Sequence, residues 1–140
     1  MTILFDFNRT LFDPEKQELC DGALPLLSAL EESGATLYVL SRIEVGRPAL
    51  LDSLGIRRYF VEVLFVEDKR SAIQKIVTEA SDTTYVVGDH LHDEIRIGNT
   101  CGARTVWVRH GKFADLKPEG VHDVPWRTVR ALAEVHSLLT

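Results

Sequence analysis

The chain has 140 residues, of which 45% are hydrophobic and 26% are charged. This length and composition fit one compact domain over residues 1–140 and exclude disordered, collagen-like and coiled-coil chains. Its 21 acidic residues outnumber the 16 basic ones, and the formal net charge of -5 argues against nucleic acid or an anionic membrane surface as a partner. We therefore expect an ordinary soluble domain that binds neither.

The start of the chain and its two cysteines indicate the cellular compartment in which the protein is expected to work. No apolar run approaches the roughly 20 residues of a membrane-spanning helix, and the chain begins with the strand-like segment Thr2–Phe5 rather than with a signal region. This predicts a cytoplasmic protein. Cys20 and Cys101 lie far apart and have no nearby Cys or His at zinc-ligand spacing, so we expect reduced structural thiols.

Short apolar runs alternate with longer segments of helical periodicity along the chain. The runs are rich in β-branched and aromatic residues and lack regular polar alternation, which is typical of strands buried on both faces of a parallel sheet. The predicted strands are Ile3–Phe5, Ala35–Leu40, Val61–Val66, Thr84–Val87 and Thr105–Val108.

One helix fits after each predicted strand, and glycines mark the ends of three of these helices. The predicted helices are Gly22–Ser33, Val45–Leu54, Lys69–Ala80, His92–Cys101 and Trp126–Leu139. Right-handed crossovers in this order place helices on both faces of an open parallel sheet of five strands. The sequence therefore predicts a doubly wound, Rossmann-like α/β fold.

Polar side chains follow the first four predicted strands. In an open α/β sheet, ligands bind beyond the carboxyl ends of the strands, so these side chains should meet at one edge. They are Asp6, Ser41, Lys69, and Asp89 with Asp93 and Glu94. Paired carboxylates can hold Mg²⁺, and a lysine and a hydroxyl can bind phosphoryl oxygens. The pattern predicts phosphoryl transfer, with the first of these carboxylates as the nucleophile.

Four segments in this order resemble the motifs of the haloacid dehalogenase-like (HAD) phosphohydrolase superfamily. They are Ile3–Leu11, Leu37–Ser41, Lys69 at the start of a helix, and Val86–Glu94. Each segment alone is a weak signal, but the ordered set over residues 3–94 is specific. The resemblance implies a Mg²⁺-dependent phosphatase that forms an aspartyl phosphate on Asp6.

The resemblance also implies a set of metal ligands. Asp6 attacks phosphorus and contacts Mg²⁺, and the backbone carbonyl of Asn8 and the Asp89 carboxylate complete the direct protein contacts. Either Glu94 or Asp93 ligates the ion or orients its water. Family members use both spacings, and we favour Glu94 slightly.

By the same resemblance, Ser41 and Lys69 bind the phosphoryl oxygens, and Thr10 supports the turn after the nucleophile. Arg9 stands where the family commonly has glycine. Its guanidinium could hold an anionic substrate together with Arg42 and Lys69, or it could lie in solvent. The sequence leaves these alternatives open.

Asn8 departs from the family pattern, in which an aspartate two residues after the nucleophile protonates the leaving oxygen and later activates water. An amide can donate a hydrogen bond but cannot exchange a proton near neutral pH, and such assistance is worth about 10²–10⁴-fold. We therefore expect slow turnover. The alternative is a catalytically weakened module that binds Mg²⁺ and phosphate in a regulatory or partner-binding role. Dehalogenases and phosphonate hydrolases of this superfamily also lack the aspartate, so the reaction type stays open.

No cap domain fits between the motifs. Residues 12–34 suffice for a turn and one helix, and the segment between Ser41 and Lys69 holds one helix and one strand. A capless member, by analogy, suits a large or protruding phosphorylated substrate, or takes a lid from a partner subunit. We expect a monomer or a small homo-oligomer, and the sequence does not identify the substrate.

A phosphoacceptor receiver domain of similar length is a third hypothesis. Receivers carry an acidic pair after the first strand and their phosphoacceptor after the third, whereas here one aspartate follows the first strand and the other carboxylates follow the fourth. This order disfavours the receiver interpretation.

The histidines and large aromatic residues have more ordinary interpretations. His90 and His92 flank the acidic cluster, but zinc sites need several nitrogen or sulfur ligands and this site offers mostly oxygen. We expect Trp107, Trp126 and Phe113 to pack in the core or at its edge.

Overall fold

Six parallel strands form the central sheet of the computed structural model, which describes residues 1–140. The strands of this sheet and of a separate hairpin are β1 (Thr2–Asp6), β2 (Phe12–Asp13), β3 (Glu18–Leu19), β4 (Thr36–Arg42), β5 (Glu62–Val66), β6 (Thr84–Gly88), β7 (Arg104–Val108) and β8 (Arg127–Val129). The sheet order is β5-β4-β1-β6-β7-β8, and β2 and β3 form the antiparallel hairpin.

Five α-helices pack on this sheet: α1 (Ala23–Glu32), α2 (Arg47–Ser53), α3 (Lys69–Glu79), α4 (Arg96–Thr100) and α5 (Val135–Leu139). A π-helical turn over Leu91–Ile95 leads into α4, and short 3₁₀ turns include Gly111–Phe113 and Val121–Asp123. None of the helices combines the length and the apolar character that a membrane span requires.

Alternating side chains of the strands build a core on each face of the sheet. On one face, Ile3 and Phe5 of β1 pack in a cluster with apolar residues of α1, α2 and α5. On the other face, Leu4 packs in a cluster with Ile73 of α3, and Ile97 of α4 lies against that cluster. The predicted doubly wound α/β fold is therefore confirmed.

The predicted helix over Trp126–Leu139 is wrong in its first half. Arg127–Val129 forms the sixth strand, β8, which pairs in parallel with β7, and only Val135–Leu139 is α-helical. The apolar spacing of this segment fits a helix, but the backbone groups at the open edge of β7 need partners, and a nearby extended segment supplies them. Local periodicity does not report such a distant partner.

Two smaller differences affect the region around the site. The helix predicted from His92 begins instead with the π turn, and residues 12–34 contain the β2–β3 hairpin as well as α1. Between β4 and β5 lie only α2 and a 3₁₀ turn, so neither segment contains a cap domain. Cys20 and Cys101 are both free thiols.

Candidate active site

Three buried carboxylates meet at the carboxyl edge of the sheet. Asp6 ends β1, Asp89 follows the neighbouring strand β6, and Glu94 lies in the π turn that comes next. Their exposed fractions are 8%, 2% and 1%, and one oxygen of each lies within 4.8 Å of the others. The parallel pairing of β1 with β6 produces this meeting, because both strands end at the same edge.

Glu94 is held over the backbone of β6. Its Oε1 accepts a hydrogen bond of 3.0 Å from the backbone N–H of His90, and a Cβ at Gly88 would overlap the Glu94 carboxylate. The π turn carries Asp93 with non-helical backbone angles, which separates the two neighbouring carboxylates. Glu94 therefore joins Asp6 and Asp89, whereas Asp93 pairs with Lys69 and Arg42.

Lys69 places one ammonium group among these carboxylates. It begins α3, whose N-cap Asp68 accepts a hydrogen bond from the Arg70 N–H. Lys69 Nζ lies 3.3 Å from Asp6 Oδ1, 3.2 Å from an oxygen of Glu94 and 2.7 Å from Asp93 Oδ2. One buried cation thus contacts three carboxylates.

The charges of the cluster perturb one another. Burial and the Glu94 carboxylate raise the pKa of Asp6 well above its ordinary value, against the lowering effect of Lys69. Burial and the same glutamate raise the pKa of Asp89 to about 7. For Lys69, burial alone would lower the pKa, but the surrounding carboxylates outweigh it and the pKa is raised. The cluster therefore holds more negative charge than its single lysine compensates.

These residues fit a hard divalent cation. Asp89 Oδ2 is buried and has no hydrogen-bond partner in the protein, and unpaired buried carboxylate oxygens are costly. The available donors are all oxygens, which Mg²⁺ prefers and zinc does not. A divalent ion would satisfy the free oxygen and balance the excess negative charge.

A hydroxyl links two of the carboxylates. Thr10 is fully buried in the turn after β1, and its Oγ1 lies 3.4 Å from Asp6 Oδ2 and 3.4 Å from Asp89 Oδ1. The Trp107 indole N–H donates to the Asp89 backbone carbonyl at 2.9 Å. Hydrogen bonds from Thr10 in the turn and from Trp107 in β7 thus fix the positions of Asp6 and Asp89.

A buried arginine, Arg47, contacts two of the predicted site residues, Ser41 and Asn8. Arg47 begins α2, and its Nη1 donates to Ser41 Oγ at 3.0 Å and to Asn8 Oδ1 at 3.4 Å. The same guanidinium pairs with Glu44 and stacks 4.6 Å from the centre of the Phe7 ring. The carbonyl end of the Asn8 amide therefore faces Arg47, and its two N–H groups are left for other acceptors.

An open cavity of about 310 Å³ gives access to these groups. Its walls include the predicted site residues Asp6, Asn8, Ser41, Lys69, Asp89, Asp93 and Glu94, and the remaining lining residues are Arg9, Arg42, Glu44, His90 and Phe113. The Phe113 ring packs 4.1 Å from the His90 ring, centre to centre, and is half-buried at the crevice, outside the clusters of core residues. Of the two predicted places, in the core or at its edge, the structure excludes the core. The long connection from β7 to β8 carries this ring to the crevice.

Comparison with known proteins identifies relatives of this chain. Residues 67–135 match the model of the HAD-hydrolase-like family. A glyceraldehyde 3-phosphate phosphatase of Methanopyrus kandleri is 35% identical over 112 residues, which cover 73% of this chain and 48% of that protein. The putative HAD-hydrolase YfnB of Bacillus subtilis is 24% identical over 138 residues, 91% of this chain and 57% of YfnB.

Solved structures share the fold. A D,D-heptose bisphosphate phosphatase from B. bronchiseptica, crystallised with magnesium and phosphate, superposes with a TM-score of 0.73 at 16% identity, over 99% of this chain and 97% of that one. On the family model and the 35% identical relative, the chain belongs to the HAD-like hydrolase superfamily. It spans about half the length of the curated relatives that it matches.

The site residues predicted from the HAD motifs lie together in the structure. The carboxylates, Lys69, Ser41 and Asn8 all line one crevice, and Arg9 and Arg42 lie on its rim. Arg42 pairs with Asp93 at 3.3 Å, and Arg9 pairs with Glu15 at 2.9 Å.

Sequence reasoning missed four neighbours of this HAD site: Glu44, Arg47, His90 as a wall residue, and Phe113. The glycine and proline around Arg47 mark a helix start, but no local pattern reports that its side chain is buried. Phe113 lies in a connection of irregular structure, where periodicity carries no information about contacts.

Proposed function

We propose that this chain is the catalytic core of a Mg²⁺-dependent phosphohydrolase that works through an aspartyl phosphate on Asp6. The observation that carries the proposal is the meeting of three buried carboxylates with Lys69 at the floor of an open crevice. The Methanopyrus relative, which bears the name of a phosphatase, supports the reaction class. Residues 1–140 would act as one domain, built on the continuous sheet.

In this proposal, Asp6, Asp89, Glu94 and the backbone carbonyl of Asn8 hold Mg²⁺. Asp89 Oδ2, which lacks a protein partner, supports that assignment. When bound, the ion neutralises charge on the phosphoryl oxygens and on the carboxylates. Asp93 pairs with Lys69 and Arg42 and would orient them rather than bind the ion.

The chain's own residues then perform two displacements. An Asp6 carboxylate oxygen attacks phosphorus, and the P–O ester bond breaks with its electron pair going to the leaving oxygen. The Ser41 hydroxyl and the Lys69 ammonium bind the non-bridging oxygens and hold the phosphoryl group in line. Water next attacks the phosphorus of the aspartyl phosphate, and the P–O bond to Asp6 breaks with its electron pair returning to the carboxylate. Inorganic phosphate leaves, and the proton lost by the water goes to solvent.

Asn8 limits both steps. Its N–H groups can donate a hydrogen bond to the leaving oxygen, but the proton that this oxygen needs must come from solvent. Asn8 also cannot accept the proton of the attacking water. We expect hydrolysis to be slow, and slowest for alkyl leaving groups, whose oxygens are most basic.

Substitution of the nucleophile tests the proposal. Asp6→Asn should reduce phosphate release from p-nitrophenyl phosphate in Mg²⁺ by more than about 10³-fold, because the amide cannot form the phosphoenzyme. The matched control is Asp52→Asn, an exposed aspartate on α2, which should retain wild-type activity. Unchanged phosphate release by Asp6→Asn would refute the nucleophile assignment.

The contact between Asn8 and Arg47 favours a second candidate, a weakened module that binds Mg²⁺ and phosphate in a regulatory or partner-binding role. Asn8→Asp separates the two candidates. If the rest of the site is intact, the variant should hydrolyse aryl phosphates about 10²–10⁴-fold faster, because the new carboxylate activates water in the second step. No gain would favour the binding module.

A further inference from the structure

Arg9 adopts a backbone conformation that side chains with a Cβ rarely take. Its φ is +61°, in the left-handed region, where a steric penalty applies to every residue except glycine. The turn is held on both sides: the Arg9 N–H donates to the Phe12 carbonyl at 2.7 Å, and the Arg9 carbonyl lies 2.7 Å from His110 Nε2. A glycine would fit this turn without strain.

The side chain carries a second unfavourable feature. Arg9 Nε is buried and has no hydrogen-bond partner, although the guanidinium lines the crevice and lies 5.9 Å from the centre of the Phe113 ring. A buried donor without an acceptor is destabilising. Strain and an unpaired donor on one residue at a site indicate a function that outweighs them.

The charge of Arg9 is paired more weakly than that of Lys69, the buried cation of the crevice. Lys69 contacts three carboxylates, and Arg42 pairs with the half-buried Asp93. The partner of Arg9 is Glu15, which is 64% exposed and therefore screened by water. The planar guanidinium also offers the donor geometry that suits carboxylate or phosphate oxygens.

We propose that Arg9 is a specificity-determining residue that binds a second anionic group, carboxylate or phosphate, carried by the substrate beside its scissile phosphate. This inference rests on the proposed phosphohydrolase function. The guanidinium N–H groups that line the crevice supply the donors, and the Phe113 ring lies beside the guanidinium at 5.9 Å.

A matched set of three-carbon substrates tests the inference in Mg²⁺. 3-Phosphoglycerate carries a carboxylate, glycerol bisphosphate carries a second phosphate, and glycerol 3-phosphate carries neither. The wild-type protein should show a kcat/KM for at least one of the doubly anionic substrates that is about 10–100-fold above that for glycerol 3-phosphate, as expected for charge-assisted hydrogen bonds. Which of the two substrates is preferred identifies the anion.

Two substitutions at Arg9 separate the effect of its charge on substrate preference from the effect of its strained backbone on stability. Arg9→Gln keeps the strain and removes the charge, whereas Arg9→Gly removes both. The preference for the doubly anionic substrate should fall toward unity in both variants, while only Arg9→Gly should match or exceed the wild-type melting temperature. Gln17→Gly is the control, because Gln17 also has a positive φ, of 55°, but lies in the exposed hairpin. It should keep the wild-type preference.

Two outcomes would overturn the inference: a wild-type protein without the preference, or Arg9 variants that retain it. If the wild-type protein hydrolyses neither these substrates nor p-nitrophenyl phosphate, the proposed function fails, and the anion site is then tested by calorimetric titration. Wild-type protein in Mg²⁺ should bind 3-phosphoglycerate or glycerol bisphosphate at least about tenfold more tightly than glycerol 3-phosphate, and Arg9→Gln should not. Equal affinities in the wild-type protein would refute the anion site itself.

Discussion

Two groups of carboxylates in this molecule, built from the same residue types, are in opposite electrostatic states. In the crevice, Asp6, Asp89 and Glu94 meet beside a single lysine, which contacts Asp6 and Glu94, and an Asp89 oxygen has no partner. In the connection after β7, Asp123 accepts hydrogen bonds on both carboxylate oxygens from Arg96 of α4, which also donates to Glu119. The first group is under-compensated, and the second is fully paired.

The pKa directions follow from this difference. Burial and mutual repulsion raise the pKa of Asp89 to about 7, whereas hydrogen bonds from Arg96 lower the pKa of Asp123 to about 2. His92 lies near Asp123 and Glu119, but the arginine already occupies the centre of that cluster. A network in which each charged group has a partner holds its segment of chain in place. A cluster with an unpaired charged oxygen can instead bind a ligand.

Asp89→Asn provides the strongest test of the contrast. It should reduce Mg²⁺-dependent phosphate release by about 10³-fold or more, because the variant lacks one of the proposed metal ligands. In the absence of Mg²⁺ the same variant should melt at a higher temperature than the wild type at pH 8, because one of the repelling charges is gone. Calorimetric melting curves with and without Mg²⁺ measure both effects. A lower melting temperature without Mg²⁺ would show that the carboxylate cluster is not under-compensated.

Gly88→Ala tests how the fold places Glu94. The added methyl group would overlap the Glu94 carboxylate and displace it from the cluster. The Mg²⁺ concentration needed for half-maximal activity should rise by about 10–100-fold. Gly120→Ala is the control, because a Cβ there meets open space. An unchanged Mg²⁺ requirement in Gly88→Ala would remove Glu94 from the metal site.

Asp123→Asn should produce the converse result in the paired region. Loss of the charged partner of Arg96 should lower the free energy of unfolding by about 1–3 kcal/mol, as measured by urea denaturation. Activity should change little, because Asp123 does not line the crevice. Glu119→Gln, at a residue that is 67% exposed, should cost less than about 1 kcal/mol. If Asp123→Asn lost Mg²⁺-dependent activity as Asp89→Asn does, the two regions would not be independent.

The smallest expected effect is a pH dependence of the difference in unfolding free energy between the wild type and Asp123→Asn. The pKa of Asp123 is about 2 in the fold, below the roughly 3.9 of an unfolded chain, so the fold favours the ionised form. The extra stability of the wild type over Asp123→Asn should be fully present above about pH 4 and should disappear as the pH falls to about 2. A difference that persists at pH 2 would mean that packing, not charge, explains the Asp123 contribution.

Much of the candidate site could be predicted because it depends on strand ends. Asp6 and Asp89 directly follow apolar runs, and parallel strands that lie side by side bring such residues together whatever the details of packing. The sequence favours Glu94 over Asp93 as the metal-site carboxylate only slightly, because family members use both spacings from Asp89. The position of the Glu94 carboxylate depends on the space above Gly88 and on the His90 N–H, which only the folded chain provides.

The amino-acid sequence by itself determined the first five strands of the sheet with the helices between them, the doubly wound fold and the polar residues at the sheet edge, because these follow from local periodicity and from the geometry of parallel sheets. The tertiary structure alone decided that residues 127–129 add a sixth strand, that Arg47 is buried against Asn8 and Ser41, and that Phe113 reaches the crevice. Each of these depends on contacts between segments far apart in the chain, whose free energy is absent from any local pattern.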